Sequence, residues 1–317
     1  MDPIKKLYES MTQAAIEDTR NHRRPPTRFR PSEAGDCVRQ IWFRLKGQRP
    51  APRTAKSNMY GIKGDVDHDT TRQLLNHYTE TGVGGVTYDE HGNSDETMAV
   101  KMEFEVEMKD EHGAVEGVVK ILVSGRADGE IAPDTDKPDD LALCEIKGTG
   151  YWPYDWLMKS FDGGYKTLGG KKVPPGHDAA LARIKDKHKS WYFQCQATMA
   201  ITGYKKCYLI VVDRSSGTIG LHSEDTDERM GITFDFDPTV WEEILQKFAY
   251  IKYKLNADEM PPAEYASKSM ECSWCPFYYA CHGAAERRAK KLEPAVKYPG
   301  PQMETYHDGD AGRDKKS

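Results

Sequence analysis

The chain has 317 residues, 38% of them hydrophobic and 30% charged, with a formal net charge of -5. That length can bury a real core in one large domain or two modest ones. It holds no run near the roughly 20 apolar residues of a membrane span and no apolar signal segment at its start. A cytoplasmic protein with reduced thiols is expected, in which seven cysteines speak for metal ligation over disulfides.

In chain order, residues 3–20 read as a short amphipathic helix, followed by a basic, proline-containing link through Pro31. Between Arg20 and Lys56 there are eleven Lys or Arg against two acidic residues, so a local positive surface is compatible with the acidic total. Ser32 is a candidate N-cap for a helix that carries Cys37, Ile41, Trp42 and Leu45 and ends at Gly47. Gln48–Ser57 reads as a basic loop, and Asp65 to Tyr78 as a second helix. Val100–Met108 and Val115–Val123 alternate as strands joined by a turn, and Gly125–Ile131 and Leu141–Ile146 supply two more. From Gly148 to Lys189 glycine, aromatics and lysine read as an irregular insertion of the kind that shapes a site entrance. Ser190–Ile201 reads as a buried helix and Cys207–Val212 as an apolar strand. Pro238 opens a long helix to about Leu255. A basic helix, Ala284–Leu292, follows the last cysteines, and residues 293–317 are expected to form a disordered tail.

Asp128, Glu145 and Lys147 stand near the ends of apolar strands. Alternation puts Glu145 and Lys147 on one face and Ile146 on the other. A charged side chain on a buried strand is costly unless it is paired or bound to metal. Two readings stay open: a structural Glu–Lys pair at a sheet edge, or a metal site for phosphodiester hydrolysis. His68, just inside a helix, and Gln194, on the helix after the insertion, favour the second. Oxygen donors suit Mg²⁺ or Mn²⁺, and an imidazole tilts the choice toward Mn²⁺. Asp65, Asp67 and Asp69 read as a solvated helix start.

Cys272, Cys275 and Cys281 form a C-x2-C-x5-C cluster, and Cys37 lies far upstream. Four thiolates from two distant segments suit tetrahedral Zn²⁺ or an iron–sulfur cluster. Cys144, Cys195 and Cys207 sit on apolar elements and read as packed thiols. In the insertion, Tyr151, Trp152, Tyr154 and Trp156 are candidates for stacking on bases. Lys166, Lys171, Lys172, Lys185, Lys187 and Lys189 are candidates for phosphate contacts, with Arg39 and Arg44 on the other side. A small satellite core under the loop is the alternative for the aromatics.

The order Gly64-x3-His68, Asp128, Glu145-x-Lys147 and Gln194 resembles the PD-(D/E)XK nuclease superfamily in its RecB-like branch. With the four cysteines bracketing it, the pattern is similar to the iron–sulfur Cas4-like and AddB-like exonucleases, and similar stand-alone proteins occur in phages. The resemblance implies an α/β (α+β) restriction-endonuclease-like core with a central mixed β-sheet flanked by helices, and an iron–sulfur clasp joining the N- and C-terminal segments. The nuclease domain would span residues 31–292, with the insertion at 148–189 and the cysteine cluster at 272–281, after an N-terminal helix and link at 1–30.

The resemblance further implies that His68, Asp128, Glu145 and the backbone carbonyl of Ile146 hold Mn²⁺ or Mg²⁺, and that Lys147 orients or activates the attacking water. Gln194 matches the glutamine of a Q-x3-Y motif. Thr198 stands in place of the tyrosine, so a ring contact would come from Tyr192 or from the insertion. Cys37, Cys272, Cys275 and Cys281 would hold a 4Fe-4S cluster, with structural Zn²⁺ as the alternative.

The activity expected is a metal-dependent DNA exonuclease acting on single strands or free ends in recombination, repair or processing. A structure-specific endonuclease, an idle DNA-binding recombination subunit and a zinc-stabilised interaction module are the competing readings. No P-loop is present, so ATP-driven unwinding would need a helicase partner.

Overall fold

A computed structural model describes residues 27–48, 50–51, 99–109, 115–131, 141–213 and 231–286. After a 3-10 turn at Pro31–Glu33 come α1 (Val38–Leu45), β1 (Ala99–Lys109), β2 (Val115–Arg126), β3 (Gly129–Ile131) and β4 (Ala142–Thr149). They are followed by α2 (Tyr151–Gly163), β5 (Tyr165–Lys166), β6 (Lys172–Val173), α3 (His177–Lys187) and α4 (Lys189–Thr202). The last are β7 (Lys206–Asp213), β8 (Ile232–Asp235), α5 (Pro238–Asn256), α6 (Met270–Ser273) and α7 (Tyr278–Glu286).

Alternation in β1 and β2 decides their faces. Val106, Met108, Val119, Ile121 and Val123 are buried, while Lys101, Glu103, Glu105 and Lys120 face solvent. The pair runs antiparallel in register from Ala99 opposite Arg126 to Met108 opposite Gly117, with a shift at Met108/Lys109. The chain then breaks at Ala127 and Asp128 before β3. A four-stranded mixed sheet has the order β3-β4-β7-β8. Its middle pair, β4 and β7, is parallel, and both outer pairs are antiparallel. A parallel pair buried on both sides needs apolar residues on both faces. Accordingly Leu143, Leu209 and Val211 join the main core, while Cys144, Ile146, Ile210 and Val212 form a small cluster on the other side.

The main core lies between this sheet, the β1–β2 ribbon and helices α1, α4 and α5. Helix α5 starts where Asp237 accepts the Thr239 and Val240 N–H groups at 2.9 and 3.4 Å, with Pro238 in its first turn. Its buried face carries Ile244, Phe248 and Ile251. No helix of the described residues is long and apolar enough to cross a membrane.

The insertion is ordered secondary structure, against the expectation of an irregular loop. Tyr154, Leu157 and Phe161 recur at helical spacing and are buried, and Pro153 falls in the first turn, where a missing N–H costs little. Gly164 ends α2 at φ +75°, and a Cβ there would stand 2.5 Å from the Val173 carbonyl oxygen. Cys37, rather than Ser32, occupies the N-cap of the first helix, because Ser32 lies in the preceding 3-10 turn. Strand β8 was not foreseen; four residues of it suffice to edge the sheet. The helix expected from Ala284 already begins at Tyr278. The helices expected at 3–20 and 65–78 lie outside the described residues.

Candidate active site

The break between β2 and β3 carries Asp128, whose Oδ2 accepts the Ile146 N–H at 2.9 Å. This bond ties the acidic turn to β4 at the position between Glu145 and Lys147. Glu145 is only 1% exposed. Its Oε1 accepts from Lys147 Nζ at 2.7 Å and from Gln194 Nε2 at 2.5 Å, and the same ammonium donates to Gln194 Oε1 at 2.9 Å. Strand alternation places the first two side chains on one face, and α4, packed against β4, brings Gln194 over them.

Burial opposes the charge on Lys147, but the Glu145 and Asp128 carboxylates outweigh it, and its pKa is raised. The ammonium is therefore a donor and a fixed positive charge. Beneath it Cys195 and Cys207 are fully buried, and burial with a hydrogen bond to Cys195 pushes the Cys207 thiol up. These and the buried Cys144 are packed thiols. Thr198 is buried, and its hydroxyl donates to the Gln194 carbonyl at 2.9 Å, so it turns back onto its own helix. One further carboxylate escaped the sequence reading. Asp213 ends β7 opposite Thr149 and is 2% exposed, and its charge helps to raise the Tyr154 pKa after burial. An acidic residue closing the apolar run CYLIVVD was the available signal.

The oxygen donors of Asp128, Glu145 and the Ile146 backbone fit a hard divalent ion of the kind that takes one or two carboxylates and keeps its waters. His68 lies outside the described residues. Among the described residues, no three His, Cys, Asp or Glu side chains form a group set to hold a metal ion.

A second constellation sits where α1 meets the C-terminal segment. Cys37, Cys272, Cys275 and Cys281 all line one cavity of about 340 Å³. Arg39 donates through Nη1 to Cys281 Sγ at 3.3 Å and through Nε to the Pro261 carbonyl at 2.7 Å. His282 Nε2 is 3.4 Å from Cys272 Sγ. Burial first, then the neighbouring Glu264, pushes the Cys37 thiol up to about 12. Phe43 of α1 stacks on Phe277 at 5.8 Å, so the two segments share a packed edge beside the thiols. The four cysteines thus share one cavity, while among the described residues their side chains are not gathered into a metal-holding group.

The residues expected to meet DNA divide. Tyr154 and Tyr192 are buried, the latter against Phe234, and neither turns a ring face outward. This corrects their assignment as stacking residues: both fall on the inward stripe of their helices. Trp156 is 47% exposed, with the Arg183 guanidinium 5.6 Å from its ring. The side chains of Tyr151 and Trp152 lie outside the description. Lys166, Lys171, Lys172 and Lys185 are exposed. Lys187 is half-buried, and Lys189 pairs with Glu243 at 3.1 Å. Arg44 is bound to Glu33 and to the Arg28 carbonyl, and Arg39 faces the thiol cavity. Both arginines are thus engaged within the fold.

No protein-family model matches the chain, and no curated protein matches it. Among solved structures, it is similar to SSO0001, with 13% identity over 86% of this chain and 94% of that one, at a TM-score of 0.44. It is also similar to the alkaline exonuclease LHK-Exo from Laribacter hongkongensis, with 16% identity over 88% of this chain and 99% of that one, at 0.35. The complex of LHK-Exo with dAMP gives 16% identity over 89% and 100%, at 0.36.

Proposed function

We propose that this protein is a metal-dependent nuclease that hydrolyses DNA phosphodiester bonds at Asp128, Glu145, Lys147 and Gln194, acting as an exonuclease on single strands or ends. The observation that carries this reading is the closed triangle of Glu145, Lys147 and Gln194, beside an Asp128 anchored to the same strand.

Asp128, Glu145 and the Ile146 carbonyl would hold Mn²⁺ or Mg²⁺, which when bound lowers the pKa of an attacking water and offsets charge on the phosphate. Lys147, protonated between two carboxylates, donates hydrogen bonds toward the phosphoryl oxygens as negative charge grows there. Glu145 fixes that ammonium, and Gln194 fixes both, so little reorganisation is needed at the moment of reaction. Cys37, Cys272, Cys275 and Cys281 would hold a 4Fe-4S cluster, or zinc in its place, as a clasp between distant segments; a cross-link closing so long a loop limits how far either segment opens.

The test uses single-stranded DNA labelled separately at its 5′ and 3′ ends, with anaerobically purified protein and Mn²⁺. Stepwise products that vanish in Lys147→Ala support the reading, and the end released first gives the polarity. One internal cut would favour an endonuclease. Intact DNA with a folded, metal-loaded wild type would leave a binding subunit instead.

A further inference from the structure

The segment Arg28–Phe29–Arg30 lies along β2 as a short extra strand. Phe29 N–H donates to the Leu122 carbonyl at 2.9 Å, and the Phe29 carbonyl accepts from Ser124 N–H at 3.0 Å. Phe29 turns inward, 2% exposed and stacked on Phe248 with ring centroids 4.5 Å apart. Strand alternation then turns its two neighbours outward, and Arg28 and Arg30 are both exposed. Lys101 and Arg126 come to the same place from β1 and β2, whose pairing sets Lys101 opposite Ser124 and Ala99 opposite Arg126.

These four cationic side chains line one cleft of about 370 Å³, together with Ser32 and Gln194. Among the described residues lining it there is no carboxylate. The nearby Glu33 is buried, held by Arg44 and by the Arg30 N–H at 3.1 Å. Gln194 belongs to both places: it forms part of the cleft wall while its amide bridges Glu145 and Lys147. Guanidinium groups offer forked donors that match phosphate oxygens, and hydroxyls add neutral ones.

We infer that this cleft seats a phosphate of the nucleic-acid strand adjoining the one that is hydrolysed. The inference rests on the nuclease reading for the identity of its ligand. It moves the main anchoring contacts from the lysines of 166–189, where the sequence suggested them, to the Arg28–Arg30 segment and the β1–β2 ribbon. The ligand chemistry is the same whether the phosphate is an internal diester or a terminal monoester.

The test is equilibrium binding by fluorescence anisotropy, with the full chain in EDTA so that no cleavage occurs. Three oligonucleotides of one sequence carry a 5′ phosphate, a 3′ phosphate or hydroxyls at both ends. Removing one contact in Arg30→Gln or Lys101→Gln is expected to weaken binding and flatten the salt dependence of log K by about 0.7 to 1. Arg30→Lys should restore the salt slope and part of the affinity, and Lys120→Gln, on the same ribbon outside the cleft, should bind like wild type. Equal losses on all three oligonucleotides mean an internal diester; losses confined to a phosphate-bearing end mean a terminal monoester. Wild-type affinity and slope in both folded Gln variants, or a wild type that binds none of the three, overturns the inference. If Arg30→Gln unfolds, the exposed Lys101→Gln carries the same test. Binding that depends on the cleft without any cleavage in Mn²⁺ would uphold this site and remove the nuclease reading. Cleavage with unchanged affinity in the variants would do the reverse.

Discussion

Gln194 donates to Glu145 Oε1 at 2.5 Å, and that one oxygen also accepts the Lys147 ammonium. The glutamine amide turns its other end to the ammonium at 2.9 Å, so each member of the triangle fixes the other two. Groups that act as a unit respond non-additively to removal. Lys147→Ala should lower kcat by about 10² to 10³, as for the loss of one transition-state donor. Gln194→Ala should lower it by about 10 to 10² through misplacement of that donor, with KM also raised because the residue forms part of the cleft wall. The double variant should be hardly worse than Lys147→Ala alone. Single-turnover rates with excess enzyme check this, and full multiplication of the two losses would show that Gln194 acts independently.

The raised pKa of Lys147 has a consequence for pH dependence. Burial works against the ammonium, yet Glu145 and Asp128 hold it above its usual 10.5. The side chain stays charged across the working range and does not take a proton from water. The activity profile should therefore show no falling limb below about pH 10.5 that Lys147→Arg moves. Arginine keeps the charge but not the compact geometry, so partial activity with an unchanged profile is expected. A rising limb near neutral pH that disappears in Lys147→Arg would assign the lysine a general-base role instead.

His188, between α3 and α4, stacks on Trp191 at 4.2 Å. Burial first, then Arg183 and Lys187, lowers its pKa from 6.5 to about 4. The folded state holds this imidazole neutral while the unfolded chain protonates it more readily. Its contribution to stability is complete above about pH 6.5 and is lost as the pH falls toward 4. Thermal midpoints measured over that window should fall less steeply in His188→Gln than in wild type. Parallel curves would mean that other groups drive the acid transition.

The strand pairs, the face shared by Glu145 and Lys147, and the long helix from Pro238 were legible because each rests on a local period or a local cap. Gln194 was legible through its place on the helix after the insertion and through resemblance; nothing in its own helix distinguishes it from Gln196, which is buried and bonded to the Asp235 carbonyl at 3.1 Å. Helix α2 was hidden because glycines flank it, a proline stands in its first turn and its apolar positions are mostly aromatic, which reads as loop until the inward stripe is seen. The basic cleft was illegible for a different reason. Arg28 and Arg30 are separated from Lys101 and Arg126 by about 70 to 100 residues, and the pairing of Phe29 with β2 and the packing of Pro31 on Gly125 bring them together.

That same pairing depends on one stack. Phe248 is fully buried in α5 and holds Phe29 at 4.5 Å with planes 21° apart. Phe248→Ala should destabilise the fold by about 3 to 5 kcal/mol, through lost burial and the cavity left behind. Phe29→Ala should lower stability and also weaken nucleic-acid binding, since Arg28 and Arg30 lose the anchor that aims them outward. Denaturant titrations and anisotropy on the two variants separate these effects. Equal binding losses at equal residual stability would mean that the anchor has no special part in the cleft.

The thiol cavity makes the last prediction, and it concerns occupancy and stability. Cys37 enters at the start of α1, and Cys272, Cys275 and Cys281 enter from α6, the turn after it and α7. A group bound to all four would cross-link segments more than two hundred residues apart in sequence, which the Phe43–Phe277 stack, the Arg39 bonds, the Val38 N–H to Glu264 bond and the Lys46–Asp258 pair also join. Anaerobically purified protein should carry iron and acid-labile sulfide, and chelation should lower its thermal midpoint while opening the 258–270 link to protease. Cys281→Ser should lose the metal. Arg39→Gln should keep the iron but shift the visible spectrum or reduction potential, because the guanidinium sits 3.3 Å from Cys281 Sγ and Arg39→Lys would restore part of that charge. Stoichiometric zinc with no iron would replace the cluster by a structural zinc site. A metal-free protein whose stability ignores both chelation and Cys281→Ser would remove the clasp altogether and leave four thiols that merely share a cavity.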